Sequence, residues 1–507
     1  MAETWKRHFW RNTATNYLST IVRMAAGLAL FRALFQNLSR EEFGYYSLLW
    51  SLFGYAILLD FGLGFAVQKV VAQKAAGGDM ETVNRLVSTI FWTFTGLAAA
   101  LLALFAAGQS WFLEWIKVEA ASRYEFGRAY HIFFVVMALN FPLALFSEVL
   151  RGLHRLDIVN WTAIGSQVLN VALMILALWR HSPFPVIVLI SVATTAAPNI
   201  ACYFLARKMA PGLSLHPRNF RWGEVRGVLS FSLVAYLITF TNLIMLRADQ
   251  GVVGFTIGVS FVAVYQVGYK AAEMFGLFSK QIQEALSPAA AHLGGDADRS
   301  GVCNLLYKSS RFTALVTTPL YALCAAYLDP VIKVLSGLKH VDASTFWVGQ
   351  ALLLATYSSM LTSSCPKRVL VMCGWEKQLL KMSAAEAGAN FVLSVALVYP
   401  LGVPGVAIGT LIPAVLVGWL WVIPTTAKFT GLGCGALLKE FFQPVFLPAA
   451  ASLALLGALM TWFPTPDGFA GCAWRGALVF GTALAVGTSC LRNMAGGDAP
   501  TPQPATS

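Results

Sequence analysis

The sequence predicts an all-α integral membrane protein of about fourteen transmembrane helices, and three observations carry that expectation. Only 12% of the 507 residues are charged and 57% are hydrophobic, where a soluble domain carries about 25% charge. Apolar runs of roughly 20 residues recur from end to end, each long enough to cross a ~30 Å hydrocarbon core as a helix. The runs are continuously apolar and do not alternate with period two, which excludes an outer-membrane barrel. Lipid offers no partner to backbone polar groups, so the spans must satisfy their own as helices.

In order, the spans fall at 14–36, 43–67, 86–108, 129–150, 159–179, 184–206, 227–255, 259–278, 309–328, 345–365, 383–400, 404–426, 444–463 and 475–491. Lys6, Arg7 and Arg11, with Trp5, Phe9 and Trp10 beside them, form an interfacial anchor before the first span. That span has full crossing length, unlike the short apolar core of a cleavable signal. Pro142, Pro319 and Pro413 lie inside spans four, nine and twelve and are expected to kink them. Spans thirteen and fourteen are nearly free of charge and read as packing elements or a groove for a lipid tail. The polar, Pro-rich tail after span fourteen is expected to be disordered. The eight cysteines are scattered, with no C-x-x-C pair and no Cys/His spacing that suits a metal or a redox couple.

The net charge of +12 is unevenly placed. With the N-terminus inside, the cytoplasmic segments hold 24 Lys and Arg, the external ones hold 8, and Arg23, Arg32, Arg247 and Lys270 fall within spans. This three-to-one bias puts both termini in the cytoplasm. The basicity therefore reports topology and does not call for a nucleic-acid partner.

Three landmarks recur at nearly one spacing. Phe43-Gly-Tyr-Tyr46 opens span two and Phe261-Val-Ala-Val-Tyr265 opens span eight. Val149-Leu-Arg-Gly152 follows span four and Val371-Met-Cys-Gly374 follows span ten. Asn170 and Asn390 sit in spans five and eleven. The offsets are 219, 222 and 220, which indicates two six-helix lobes. Six being even, the lobes have the same orientation and are related by a pseudo-two-fold axis along the membrane normal. The expected organisation is an interfacial segment at 1–13, an N-lobe at 14–226, a C-lobe at 227–443, two extra helices within 444–491 and a tail at 492–507.

A charge inside a span is costly and marks a candidate site. Asn16, Ser19, Thr20 and Arg23 lie close to one face of span one, with Arg23 roughly 13 Å deep at 1.5 Å per residue. Arg32 is nearer the outer interface, where it can snorkel. Span eight sets Gln266, Lys270 and Glu273 on one face, either to line a cavity or as a Lys–Glu pair that stitches helices together. Span seven carries Asn242 and Asp249 on one face with Arg247 off it. Arg247 and Asp249 suit a lobe-closing ion pair as well as substrate contact. Asp60, in the inner half of span two, either neutralises Arg23 or binds a coupling cation. Asn170 and Asn390 are expected to hydrogen-bond across helices, and Glu148 with Arg151 to form a solvated pair.

Several segments bear a family likeness: Phe43 to Leu49, Leu59-Asp60-Phe-Gly62-Leu-Gly64, Arg247-Ala-Asp249, Val264-Tyr265-Gln266-Val-Gly-Tyr-Lys270, Leu286-Ser-Pro288, and Asn390 through Gly405-Val-Ala-Ile-Gly409-Thr410. Over roughly the first 430 residues the chain resembles the Wzx-type polysaccharide flippases of the multidrug/oligosaccharidyl-lipid/polysaccharide exporter superfamily. The resemblance implies a cationic central cavity between two six-helix lobes. It also implies export of an undecaprenyl-diphosphate-linked oligosaccharide across the bacterial inner membrane, with membrane lipid and polysaccharide assembly proteins as partners. Arg23 and Lys270 would contact the anionic headgroup from opposite lobes, since charge-assisted bonds are strongest in a low-dielectric cavity. No cofactor is expected beyond a coupling proton or sodium ion.

Three other readings compete, one of them a structural or assembly protein without transport activity, which would not need charges buried on facing lobes. A multidrug or metabolite antiporter of the same superfamily would share the fold and expose more acid in its cavity. A membrane glycan polymerase or ligase would need a large external loop, and the longest external segment here runs only from about Gln109 to Arg128. No paired carboxylates, Ser/His/Asp set or glycine-rich phosphate loop occurs, so no catalytic residue and no metal site is assigned.

Overall fold

The computed structural model describes residues 2–54, 63–74, 79–153, 155–223, 240–241, 243, 247–276, 299–463 and 469–494. Asp60, Asn242, Pro288 and the tail from 495 lie outside these residues, as does the side chain of Asn16. Among the described residues all regular structure is helical. Among the described residues nine helices are long and apolar enough to cross a membrane, and a bent pair makes a tenth. The chain divides into two compact units, Met1–Thr239 with Gly258–Ser260, and Phe240–Ile257 with Phe261–Ser507.

The first unit contains α1 (Ala2–Asn37), α2 (Arg40–Gly54), α3 (Leu63–Lys74), α4 (Met80–Trp115), α5 (Arg123–Leu143), α6 (Leu145–Gly152), α7 (Leu156–Trp179) and α8 (Phe184–Met209). Asp79 caps α4 by accepting the Thr82 amide at 3.2 Å, and that bond holds its carboxyl below the ordinary range. The break between α5 and α6, at Ala144, follows the expected kink at Pro142. At one end of the unit, Val67, Val71, Ile90, Phe146 and Leu150 form a buried core from α3, α4 and α6. A side chain at Gly152 would strike Gln68 and Val71 of α3, so glycine there lets α6 pack on α3.

The second unit contains α9 (residues 247–256), α10 (residues 259–276, from Phe261 onward), α11 (Arg299–Ala326), α12 (Leu328–Ser336), α13 (Ala343–Ser359), α14 (Cys365–Met372), α15 (Glu376–Leu401), α16 (Val403–Val417), α17 (Ile423–Thr430), α18 (Cys434–Trp462) and α19 (Phe469–Met494). The bend of span nine, 79°, lies between α11 and α12 at Tyr327, eight residues beyond the Pro319 where the sequence predicts it. Each of two π turns, Met360–Ser364 and Gly418–Val422, interrupts a long helix. They meet face to face, since a Cβ on Gly418 would collide with the Thr362 hydroxyl. Gly374, the landmark paired with Gly152 by sequence, has φ +85° and turns the chain from α14 into α15. The two landmarks thus mark equivalent turns but need glycine for different reasons.

Apolar side chains are exposed along the helices, as expected where the solvent is lipid: Val168 and Ile175 on α7, Phe204 on α8, Val392 on α15, Leu420 and Phe446. Exposed aromatic rings gather where α4, α7, α15 and α18 finish and where α5 and α13 start. They are Trp111, Trp115, Tyr124, Trp179, Trp347, Tyr399 and Trp462. Within each unit, in an alternating path, these positions share one side, which is the pattern of an interfacial aromatic belt.

Lys367, assigned by sequence to a cytoplasmic loop, instead lies on α14 with its ammonium 2.6 Å from Glu386 of α15, whose side chain is 3% exposed. Removing one member of such a pair leaves a buried charge uncompensated. Lys367→Met is expected to destabilise the chain by about 3–5 kcal/mol, read as a lower thermal unfolding midpoint in detergent. Adding Glu386→Gln is expected to restore most of the loss.

Candidate functional site

The most developed polar site lies within the second unit and is built on close packing of α15 against α16. A Cβ at Gly405 would collide with the Leu397 carbonyl, and one at Gly409 would come within 2.5 Å of the Ser394 amide. The Gly405-x-x-x-Gly409 spacing therefore lets the two backbones touch. That approach brings Asn390 and Ser394 of α15 beside Thr410 of α16. All three surround Asp249 of α9, which is 5% exposed.

The Asp249 carboxylate accepts from the Tyr265 hydroxyl at 2.6 Å and the Thr410 hydroxyl at 2.7 Å. Ser394 Oγ stands 3.5 Å away, at the outer limit of a hydrogen bond. Asn390 donates to Thr410 at 2.9 Å, so amide, hydroxyl and carboxylate form a chain in which each bond polarises the next. The Asn390 Oδ1 atom is buried without a hydrogen-bond partner, an unspent acceptor beside an acid. This set of oxygens suits a proton on Asp249 or a small hard cation between the carboxylate and the amide oxygen.

The first unit repeats part of this arrangement. Asn170 of α7 donates to Thr194 of α8, as Asn390 does to Thr410, so both asparagines bond across helices as the sequence predicts. The Thr194 hydroxyl then faces its own helix, against the carbonyls of Ile190 (2.7 Å) and Ser191 (3.1 Å). Counting back 220 residues from Asp249 gives Ala29. The lobes thus share a polar helix contact, and an acid is added to it in the second.

Arg23 is exposed on α1, although Ser19, one turn earlier, is fully buried and Thr15 accepts from Asn160 of α7 at 3.2 Å. Lys270 lies 2.7 Å from Glu273. Both belong to α10, so this pair links successive turns of one helix. Gln266 accepts from Gln250 of α9 at 3.1 Å. Arg247 is half-buried on α9. Glu148 and Arg151 form the solvated pair expected of them, at 3.1 Å. Among the described residues no group of His, Cys, Asp or Glu gathers to hold a metal.

Sequence reasoning missed Arg475. Span fourteen was drawn from 475, whereas α19 begins at Phe469, which places the guanidinium inside the helix with 4% exposure. It donates to the Tyr327 hydroxyl at 3.3 Å and stands 5.4 Å and 5.3 Å from the Tyr327 and Trp474 rings, a cation–π clamp on the α11–α12 elbow. Tyr265, Ser394 and Thr410 were also unassigned as site residues, although the Gly405–Gly409 spacing marked the packing that gathers the last two.

Gly409→Ala is expected to destabilise the second unit by about 1–3 kcal/mol through overpacking, read in detergent unfolding. Gly388→Ala, whose added Cβ meets nothing within 4 Å, is expected to leave the midpoint unchanged.

Known proteins share both the sequence pattern and this architecture. A family model described as polysaccharide biosynthesis protein matches residues 36–345. A Shigella flexneri protein, provisionally named an O-antigen transporter, is 20% identical over 417 residues, covering 81% of this chain and 97% of that protein. Among solved structures, the lipid II flippase MurJ in an inward closed conformation aligns with a TM-score of 0.69 at 16% identity, over 94% of this chain and all of that one. An inward-facing multidrug resistance transporter of the MATE family and MOP superfamily aligns with a TM-score of 0.64 at 15% identity, over 81% and 98%. With the family model spanning more than half of its length, the chain belongs to the polysaccharide biosynthesis protein family.

Proposed function

We propose that this protein is a flippase that carries an undecaprenyl-diphosphate-linked oligosaccharide across the bacterial inner membrane by alternating access, with both termini in the cytoplasm. The observation that carries this reading is membership of a polysaccharide biosynthesis family on a fold shared with a lipid II flippase. The O-antigen relative supports the same substrate class. The headgroup would be held by Arg23 and Lys270, and the polyprenyl tail would remain in lipid. The Asp249 cluster would bind the coupling ion, a proton or sodium. A buried acid with neutral hydroxyl partners can change its charge during a cycle, whereas a salt-bridged acid is already neutralised.

The test is the leaflet distribution of lipid-linked oligosaccharide in cells lacking the gene, with the intact gene restored as control. Trapping on the cytoplasmic side that only the restored gene relieves is expected. Normal export with altered drug tolerance would move the assignment to the antiporter. Arg23→Ala and Lys270→Ala are each expected to reduce export at normal protein abundance, and export unchanged in both would remove the headgroup assignment.

Asp249→Asn keeps the side chain's shape but not its charge. It is expected to cut gradient-driven flipping by roughly tenfold or more, measured in proteoliposomes under imposed proton or sodium gradients. The gradient whose effect disappears identifies the ion.

A further inference from the structure

We propose that the segment from Arg207 to Trp222 is a binding surface for anionic phospholipid headgroups, in the leaflet at the N-terminal end of α4. This inference needs only that α4 crosses a membrane and does not depend on the transported substrate.

With 36 residues, α4 is about 54 Å long, well beyond a ~30 Å hydrocarbon core, so its ends reach the headgroup zone. The chain leaving α8 folds back onto that end of α4 as a strap. Asn84 binds it twice, donating to the Gly212 carbonyl at 2.8 Å and accepting the Ser214 amide at 2.8 Å. Ser88 donates to the Ser214 carbonyl at 2.8 Å, and the Trp92 indole donates to the Leu215 carbonyl at 3.0 Å. After a short 3₁₀ turn at Pro217–Asn219, the Arg221 amide donates to Thr89 at 3.0 Å. Leu213, 5% exposed, plugs the strap into the core beside Val83 and Leu86. Side chains of α4 thus take up much of the strap's backbone hydrogen-bonding capacity, and the strap holds its shape and depth before any ligand arrives.

Its outward side is cationic and aromatic in alternation. Arg207, Lys208, His216, Arg218 and Arg221 are exposed, and so are Phe220 (38%) and Trp222 (60%). No Asp or Glu occurs from Arg207 to Gly223. Arg207 is steadied by the Tyr203 hydroxyl at 3.0 Å. Cations at phosphate level with rings beside them are the features that recognise an anionic bilayer surface. The strip is tied to a membrane-crossing helix at headgroup depth, so phospholipid is the partner always within reach. Topology alone would require positive charge here, but not a loop tied down along its length with its aromatic side chains turned outward.

The test uses the purified full chain in detergent micelles doped with phosphatidylglycerol or phosphatidylcholine, reading retained lipid and the unfolding midpoint. Phosphatidylglycerol is expected to be retained about threefold over phosphatidylcholine and to raise the midpoint. The combined Arg207→Gln, Arg218→Gln and Arg221→Gln variant is expected to lose that preference, and Lys339→Gln to keep it. Equal retention of the two lipids by the unaltered chain, or a preference surviving in the triple variant, would overturn the proposal. An equal midpoint rise with glycerol 3-phosphate would also overturn it, by assigning a soluble-anion site. Brominated phosphatidylglycerol supplies a readout that does not need the triple variant to fold. Its quenching of tryptophan fluorescence is expected to shrink in Trp222→Phe, and unchanged quenching there would count against the strap. None of these measurements depends on transport, so their failure leaves the flippase assignment to its own test.

Discussion

The lack of any hydrogen-bond partner in lipid is the constraint on which the rest of this structure depends. It forces every span into a helix and favours partners inside the protein for polar side chains within a span. The solutions here are local and varied. Serine and threonine hydroxyls bond back to the carbonyl four residues earlier, as Thr313, Thr317 and Thr362 do. Asparagines reach across to a neighbouring helix. Lys367 and Glu386 neutralise one another, and Arg475 rests between two aromatic rings. Asp249 stands apart because three neutral hydroxyls and an amide surround it without cancelling its charge.

That difference matters because the two lobes share so much else. The Asn–Thr contact between α7 and α8 recurs between α15 and α16, as a duplicated ancestor would leave it. In the first lobe the threonine ends the chain of bonds on its own backbone. In the second a threonine about one turn earlier on the matching helix passes the chain on to an acid. The two copies thus share a packing contact, and an ionisable group joins it in the second alone.

Much of the architecture was legible in the sequence because hydrophobic length and the repeat offset are one-dimensional signals. The Asn170 and Asn390 bonds followed from their position in apolar runs, while the close contact at Gly405 and Gly409 emerged only from the structure. The misses have a common cause. A span boundary is set by where the helix starts in space, not by where hydropathy rises, and so Arg475 was left at an edge when it belongs to the interior. Lys367 falls in a loop by sequence because span ten is drawn to end at 365, whereas α14 carries helix on to Met372. The bend of span nine was placed at Pro319 since proline is the visible helix breaker, whereas the chain turns at Tyr327 under the Arg475 clamp. Partners distant in sequence leave no periodic trace.

The exposed tryptophans have a consequence for where such a protein can work. Trp161, 54% exposed, and Trp179, 77% exposed, stand near opposite ends of α7. Eighteen residues separate them, or about 27 Å along the axis. Rings that favour the interface on both sides act as a caliper, and this one is set slightly below the ~30 Å of a typical hydrocarbon core. Hydrophobic mismatch costs fractions of a kcal/mol per Å, so a bilayer that thickens must thin locally around α7 or draw its rings inward. Membrane thickness thereby becomes a load on the molecule, borne by the same helix that carries Asn170.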